Sequence, residues 1–277
     1  MLKKQLIMEK ALELFSEQGF EATSVQQITE QCGISKGAFY LSFKTKDELL
    51  ISMVEYYLQQ FVTDVDQVVR SSLSKDIILV EFYKSIFQAF KNHAASARVF
   101  FNDKALLTKK ELFQKIIAYD FEMSKSIIYM LEQLYQDELH DTKYDVMYCI
   151  KGFMKSYSEL VIFSDIPLDL DQLAKSLAEK TEIIARNTTI PFITEELIQL
   201  TAEPFNEEVS QESLLELIEH HLDGLEDSIE RESLELLKFQ IENPTYSKAI
   251  LKGLIENIRL QPDYRWVAYK IGKYFNM

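Results

Sequence analysis

Along most of this chain apolar residues recur at intervals of three and four, the period of an amphipathic helix, and nowhere is the alternation of a strand sustained. Between Lys3 and Gln18, Ile7, Ala11, Leu14 and Phe15 share one face, and Gly19 ends the pattern as a helix-terminating glycine does. A second helix is predicted from Ser24, whose side chain and that of Gln27 form a capping box, with Thr23 as an alternative cap. Val25, Ile28 and Cys32 make its buried side. Gly33 supplies a tight turn and Ser35 caps a third helix, in which Ile34, Ala38 and Leu41 recur at the spacing that docks it on the other two. A long helix then runs from Asp47 to about Arg70. Further helices are predicted at 75–92, 95–101, 108–136, 143–164, 169–187, 192–201, 210–222, 228–242, 246–259 and 263–275. The fold class that follows is all-α.

Two short helices joined by a tight turn over Thr23–Lys46 are the layout of a helix-turn-helix, whose second helix enters the DNA major groove. Lys36, Tyr40 and Lys44 stand at i, i+4 and i+8 and form one outward stripe beside Gly37. Lysine neutralises phosphate and the tyrosine hydroxyl bonds a phosphate oxygen. Gly37 and Ala38 lack the bulk that would hold the helix off the bases.

The stretch ALELFSEQGFEATSVQQITEQCGISKGAFYLSFKTKDELL resembles the DNA-binding domain of the TetR family of bacterial transcriptional regulators. The resemblance lies in the helix-Gly-aromatic entry, the TSV cap, the Gly-Ile-Ser-Lys-Gly turn, the Phe-Tyr pair and the Phe-Lys-x-Lys-Asp-Glu-Leu exit, over residues 7–50. It implies phosphate contacts from Ser24, Tyr40 and Lys44 and groove contacts from Gln26, Lys36, Gly37 and Ala38. Leu41 and Ser42 depart from the family, which often has a histidine or second aromatic there. The resemblance also implies a homodimeric repressor on a palindromic operator of double-stranded DNA, released by a small-molecule effector.

The expected organisation is a helix-turn-helix domain over 1–46, a ligand-binding and dimerisation domain over 47–189, and a C-terminal helical extension over 190–277, beyond the family's usual end. In the family's layout the last two helices of the body pair with their copies in a second subunit. Here these are Lys143–Phe163 and Leu168–Arg186. The second carries a stripe of Leu170, Leu173, Ala174, Leu177 and Ile184, and the first spreads its apolar residues over more than one face. The body is rich in aromatic residues. Core packing accounts for most of them, but a helical bundle holding so many rings can enclose an apolar pocket. Phe87, Phe100, Phe113, Tyr119, Phe121 and Tyr148 are the candidate lining for a lipophilic effector, with Asp120 or Glu122 favouring a cationic one. In the extension Leu234, Leu237 and Ile241 form one stripe, and Ile250, Leu254, Ile255 and Ile258 another.

Composition changes the picture in one respect. The net charge is −14, which argues against a general affinity for nucleic acid. The acidity is local, however: residues 1–50 carry six lysines against seven acids, 190–243 two basic residues against fifteen acids, and 244–277 six against two. The acidic and basic halves of the extension are expected to pack on each other or across a dimer. No stretch is long and apolar enough for a membrane helix, and the N-terminus is not a signal peptide, so no membrane partner and a cytoplasmic location are expected. Cys32 and Cys149 belong to no metal-spaced cluster. His93, His140, His220 and His221 are scattered, and no nucleotide loop or nucleophile motif is present. No enzyme, metal or cofactor is expected. The competing expectation is a helical adaptor that keeps its helix-turn-helix and binds a protein through the acidic extension.

Overall fold

The computed structural model describes residues 2–94, 97–98, 109–139, 141–164, 166–202, 210–223, 225–275 and 277. The expected helix at 95–101, and with it Phe100, falls almost wholly outside the described residues, as does His140. Among the described residues every regular element is helical. The helices are α1 Leu2–Gln18, α2 Val25–Cys32, α3 Lys36–Tyr40, α4 Lys46–Val69, α5 Lys75–Asn92, α6 Lys110–Tyr135, α7 Lys143–Phe163, α8 Leu170–Asn187 and α9 Glu195–Ala202. They continue with α10 Gln211–Leu222, α11 Ile229–Glu242, α12 Lys248–Arg259 and α13 Arg265–Tyr274, and short 3-10 turns at Gln136–Leu139 and Pro262–Tyr264. The chain divides into two compact units, Met1–Phe205 and Asn206–Met277.

In the first unit, α1 to α3 and the start of α4 close over Ile7, Ala11, Phe15, Phe20, Ile28, Phe39, Phe43, Leu49, Leu50 and Met53. A further buried residue of this core comes from a distant part of the sequence: Leu112 of α6, only 1% exposed, with Ile116 also packed against the core. The small N-terminal domain is therefore closed by the body of the protein. Beyond it α4 packs along α6, and α5 packs along α8. A buried hydrogen bond of 2.6 Å joins Tyr83 of α5 to Thr181 of α8.

The stripe on α8 that the sequence assigns to a dimer contact is used inside the chain. Leu170, Ala174 and Leu177 are buried, and Leu173 and Ile184 are half-buried. The reason is α5, whose inward residues Ile78, Leu79, Phe82, Tyr83 and Ile86 provide a full apolar face for α8 to cover. Tyr148, Leu160 and Phe163 of α7 and Ile183 of α8 remain outside.

Among its described residues the second unit has four α-helices around their own core, built from Leu214 and Ile218 of α10, Leu234, Leu237 and Ile241 of α11, Leu251, Ile255 and Ile258 of α12, and Val267, Ala268 and Ile271 of α13. The acidic and basic halves of the extension do pack on each other, through apolar side chains. Ion pairs within one half include Lys238–Glu219 at 2.8 Å, Arg231–Glu235 at 2.9 Å and Arg259–Glu256 at 3.1 Å. The expected stripe on α12 shifts by one position. Leu251 takes the inward place and Ile250 faces solvent, because Leu251, Ile255 and Ile258 at i, i+4 and i+7 point to one side of the helix.

Candidate nucleic-acid interface

The second helix begins as its sequence demands. Ser24 is the N-cap, its Oγ accepting from the Gln27 N–H at 3.2 Å, while Gln27 Oε1 accepts from the Ser24 N–H at 2.8 Å. Thr23 is not the cap. It is buried, and its hydroxyl donates to the Gly19 carbonyl at 2.8 Å, closing the end of α1. Gly33 ends α2 with φ +65°, a left-handed backbone that glycine adopts without steric cost. Ser35 then caps α3 by accepting from the Ala38 N–H at 3.2 Å.

Helix α3 is only five residues long, and this corrects two expectations. The docking residue is Phe39, wholly buried, rather than Leu41, which caps the helix and is 88% exposed. Lys44 lies in the turn after the helix, so helical spacing does not set its position relative to Lys36 and Tyr40. All three are nonetheless exposed. Tyr40 stands edge-on to Phe39, ring centroids 5.5 Å apart, so its buried neighbour holds the phenol outward. The Lys44 N–H donates to the Glu48 carboxylate at 2.7 Å.

Two of the expected groove residues meet across the turn. Lys36 Nζ donates to Gln26 Oε1 at 3.3 Å, and Gln26 Nε2 donates in turn to Glu30 at 2.9 Å. The chain of exposed polar groups Lys36–Gln26–Glu30 thus spans both helices of the motif. Gly37 is exposed, and a Cβ placed on it would meet only Ser35 Oγ at 3.8 Å, an ordinary contact. The protein's own packing does not require a glycine there. Ala38 is half-buried against the domain.

Periodicity did not reveal Lys46. From the first turn of α4 its Nζ reaches back to the carbonyls of Phe20 at 2.6 Å, Thr23 at 2.9 Å and Glu21 at 3.4 Å, and it lies 4.2 Å from the centre of the Phe20 ring. All three ammonium protons are directed at the loop that presents Ser24. Lys109, just before α6, sits 5.3 Å from the same ring and pairs with Asp47. Lys46 belongs to the Phe-Lys-x-Lys exit of the motif, and that was its only signal in the sequence.

Burial pushes the thiols of Cys32 and Cys149 up from their ordinary range, so neither is a reactive thiolate at neutral pH. No group of three or more histidine, cysteine or carboxylate side chains suited to a metal ion occurs among the described residues. No helix among them is long and apolar enough to cross a membrane.

The described candidates for an effector pocket occupy different surroundings. Phe87 and Tyr119 are buried, Phe121 is half-buried with Lys125 Nζ 4.1 Å from its ring centre, and Phe113 and Tyr148 are exposed. Asp120 pairs with Lys151 at 2.6 Å and Glu122 with Lys125 at 3.4 Å, so both acids already have a cation. A row of rings runs instead from Phe61 of α4 to Phe90 and Phe87 of α5, with centroid spacings of 5.1 and 6.5 Å, and on to Tyr83 at 6.3 Å. A separate open cleft of about 670 Å³ is bounded by Glu132, Gln136, Asp137, Asp141, Lys143, Tyr144 and Glu195 among others, and includes none of the five described candidates.

Comparison with known proteins agrees with this geometry. Residues 7–53 match the family described as bacterial regulatory proteins, tetR family. Over 265 residues the chain is 24% identical to the uncharacterized HTH-type transcriptional regulator YerO of Bacillus subtilis, covering 92% of this chain and 89% of that one. It is 26% identical over 266 residues to the uncharacterized HTH-type transcriptional regulator YuxN of the same organism, covering 92% and 91%. Among solved structures, the transcriptional regulator FadR of Bacillus subtilis, determined in complex with stearoyl-CoA, superposes with a TM-score of 0.51 at 21% identity, over 67% of this chain and 99% of that one. The similarity to the two Bacillus regulators therefore takes in much more of the chain than the similarity to the solved fold. Residues 7–53 thus match the DNA-binding domain of the tetR family of bacterial regulatory proteins, and the chain is a DNA-binding transcriptional regulator.

Proposed function

We propose that the chain is a homodimeric repressor that occupies a palindromic operator and leaves it when a lipophilic small molecule enters its helical body. In this reading residues 1–46 contact DNA, 47–189 bind the effector and dimerise, and 190–277 add a further helical part. Gln26, Lys36, Gly37 and Ala38 face the groove, and Tyr40 and Lys44 contact phosphates, with Ser24 joining them when its hydroxyl turns from Gln27. The observation that carries the effector response is Leu112: a body helix completes the DNA-binding core, so a shift of α6 cannot leave the recognition helix in place. The outward apolar residues of α7, Tyr148, Leu160 and Phe163, offer the body's surface for a second copy. Because Asp120 and Glu122 are already paired with lysines, a neutral or anionic lipophile suits the body better than a cation. The relative solved with stearoyl-CoA makes long-chain acyl thioesters the first compounds to try.

The test is fluorescence anisotropy with labelled DNA from upstream of the chain's own gene, at several salt concentrations. Tight, salt-dependent and sequence-selective binding is expected, with a large loss in Tyr40→Ala and Lys44→Ala. Parent-like binding by both variants would overturn the contact assignment. If acyl thioesters, fatty acids and hydrophobic cations neither release the DNA nor raise the melting temperature, the effector reading fails.

A further inference from the structure

The second unit exposes five large apolar side chains among its described residues: Ile229, Leu236 and Phe239 on α11, Ile250 on α12, and Leu260, which caps the end of α12. They are not scattered. On α11 the three recur at i, i+7 and i+10, on the side away from the core residues Leu234, Leu237 and Ile241. Two hydrogen bonds fix how α12 lies beside it. Gln261 Nε2 donates to Glu230 at 3.1 Å, and Asn257 Nδ2 donates to Ser233 Oγ at 3.2 Å. The helices are thus antiparallel. Continuing that register brings Leu260 level with Ile229, Gly253 near Leu236, and Ile250 level with Phe239. Gly253 is exposed, with nothing within 4 Å of where its Cβ would stand. The result is one apolar face with a shallow middle, formed by two helices of an otherwise strongly charged unit, and contiguous exposed apolar surface of this kind marks a contact site.

The borders of the face identify what fits it. Along α11 it is bounded by exposed Glu232, Glu235 and Glu242, and along the start of α12 by exposed Lys248 and Lys252. Of these, Glu232, Glu242, Lys248 and Lys252 have no ion-pair partner among the described residues. The same register places Glu242 level with Lys248. A surface acidic along one helix and basic along its neighbour is complementary to itself under a two-fold rotation parallel to the helices. That rotation lays α11 of one copy over α12 of the other at matching height, Phe239 over Ile250 and Ile229 over Leu260. Laying α11 on α11 would set acid against acid.

We propose that this face pairs with the same face of a second copy of the chain, α11 of one over α12 of the other. The contact is separate from the one assigned to α7, and it gives the acidic extension a homotypic role rather than a foreign partner. Two full-length variants test it, Glu235→Lys/Glu242→Lys and Lys248→Glu/Lys252→Glu, each checked for unchanged helical content. Sedimentation should show each alone self-associating at least tenfold more weakly than the parent, and a one-to-one mixture recovering most of the loss. A second measurement reads the unit directly, in chains whose Cys32 and Cys149 are serine. Phe239→Cys mixed with Ile250→Cys should form an intermolecular disulfide several-fold faster than either variant alone. Parent-like association of both charge variants together with no preferential cross-link overturns the proposal, as does cross-linking of Phe239→Cys chiefly to itself.

Discussion

Lys46→Met tests how the N-terminal domain is held. The substitution keeps an unbranched side chain of similar length against Phe20 and removes the charge together with three hydrogen bonds to the carbonyls of Phe20, Glu21 and Thr23. A hydrogen bond from a charged donor contributes about 1.5–3 kcal/mol when well formed. The 3.4 Å bond to Glu21 is weak, and Lys46 is only half-buried, so water recovers part of what the two shorter bonds provide. Adding about 0.5–1 kcal/mol for the ammonium over the Phe20 ring gives an expected loss of roughly 2–3 kcal/mol. Because the chain has two compact units, a single melting midpoint mixes them, and amide hydrogen exchange is the better assay. Amides of residues 20–32 should exchange about 30- to 150-fold faster in the variant, the equivalent of that energy, while those of the second unit keep their rates. DNA affinity should fall as well, since the freed loop carries the Ser24 cap of α2. An exchange change below about threefold in residues 20–32 would refute the assignment of Lys46 as the tie between α4 and this loop.

Other outcomes follow from the same structure. Gly37→Ala should leave stability unchanged or slightly higher, because the added methyl meets only ordinary contacts, yet weaken operator binding tenfold or more; thermal melting and anisotropy separate the two effects. Lys44→Ala should weaken binding on all sequences alike and reduce the slope of log affinity against log salt by about one. Asp66→Ala removes the buried carboxylate that accepts from Ser126 at 3.0 Å and from Arg70 at 3.0 and 3.1 Å, and urea unfolding should show a loss of about 2–4 kcal/mol. Burial pushes the phenols of Tyr83 and Tyr135 above their ordinary value, so they stay protonated in the folded chain while unfolded tyrosines ionise near 10. Their contribution to stability is therefore full below pH 10 and is lost as pH rises above it. Tyr83→Phe should make that alkaline decline shallower in melting curves taken from pH 9 to 12.

The regularity of the helices explains why their positions were legible. Ser24, Gln27, Gly33 and Ser35 act within three or four residues of themselves, and capping chemistry of this range is written in the local sequence. Reasoning by period failed at α3 because a five-residue helix is too short for the period to continue. Leu41 and Lys44 were projected along a helix that had already ended, while Phe39, overlooked, anchors it. The stripe on α8 is apolar as its sequence states, but amphipathicity says that a face is covered without saying by what, and α5 covers it. Leu112 and Lys109 are beyond reach for the same reason: their partners lie about sixty or more residues earlier in the chain, and no local pattern records such a contact.

The pairing of α4 with α6 determines how an event in the body reaches DNA. Asp47, Glu55 and Asp66 project from successive levels of α4, and each meets a partner on or just before α6. Lys109 pairs with Asp47, Lys115 with Glu55 at 2.8 Å, and Ser126 with Asp66 at 3.0 Å. Both sets of numbers rise together, so the helices run parallel with three polar ties along their length and Leu112 buried in the DNA-binding core at the near end. Sliding α6 along α4 would strain all three ties, and leaving Asp66 buried without its partners costs several kcal/mol. The pair therefore moves as one body with the recognition helix. The other strong pairing, α5 with α8, is fixed by the buried Tyr83–Thr181 bond. One seam between these two pairs is where α4 meets α5, and there the row of rings from Phe61 to Phe90 and Phe87 packs without hydrogen bonds of its own. Aromatic contacts alone adjust to a new spacing at lower cost than the polar ties on either side. An effector that wedged that seam would leave both pairs intact. To move the protein from one-hundredth released to almost wholly released, such a ligand would have to prefer the opened form by about 10⁴-fold, roughly 5.5 kcal/mol, the equivalent of burying about seven methylene groups.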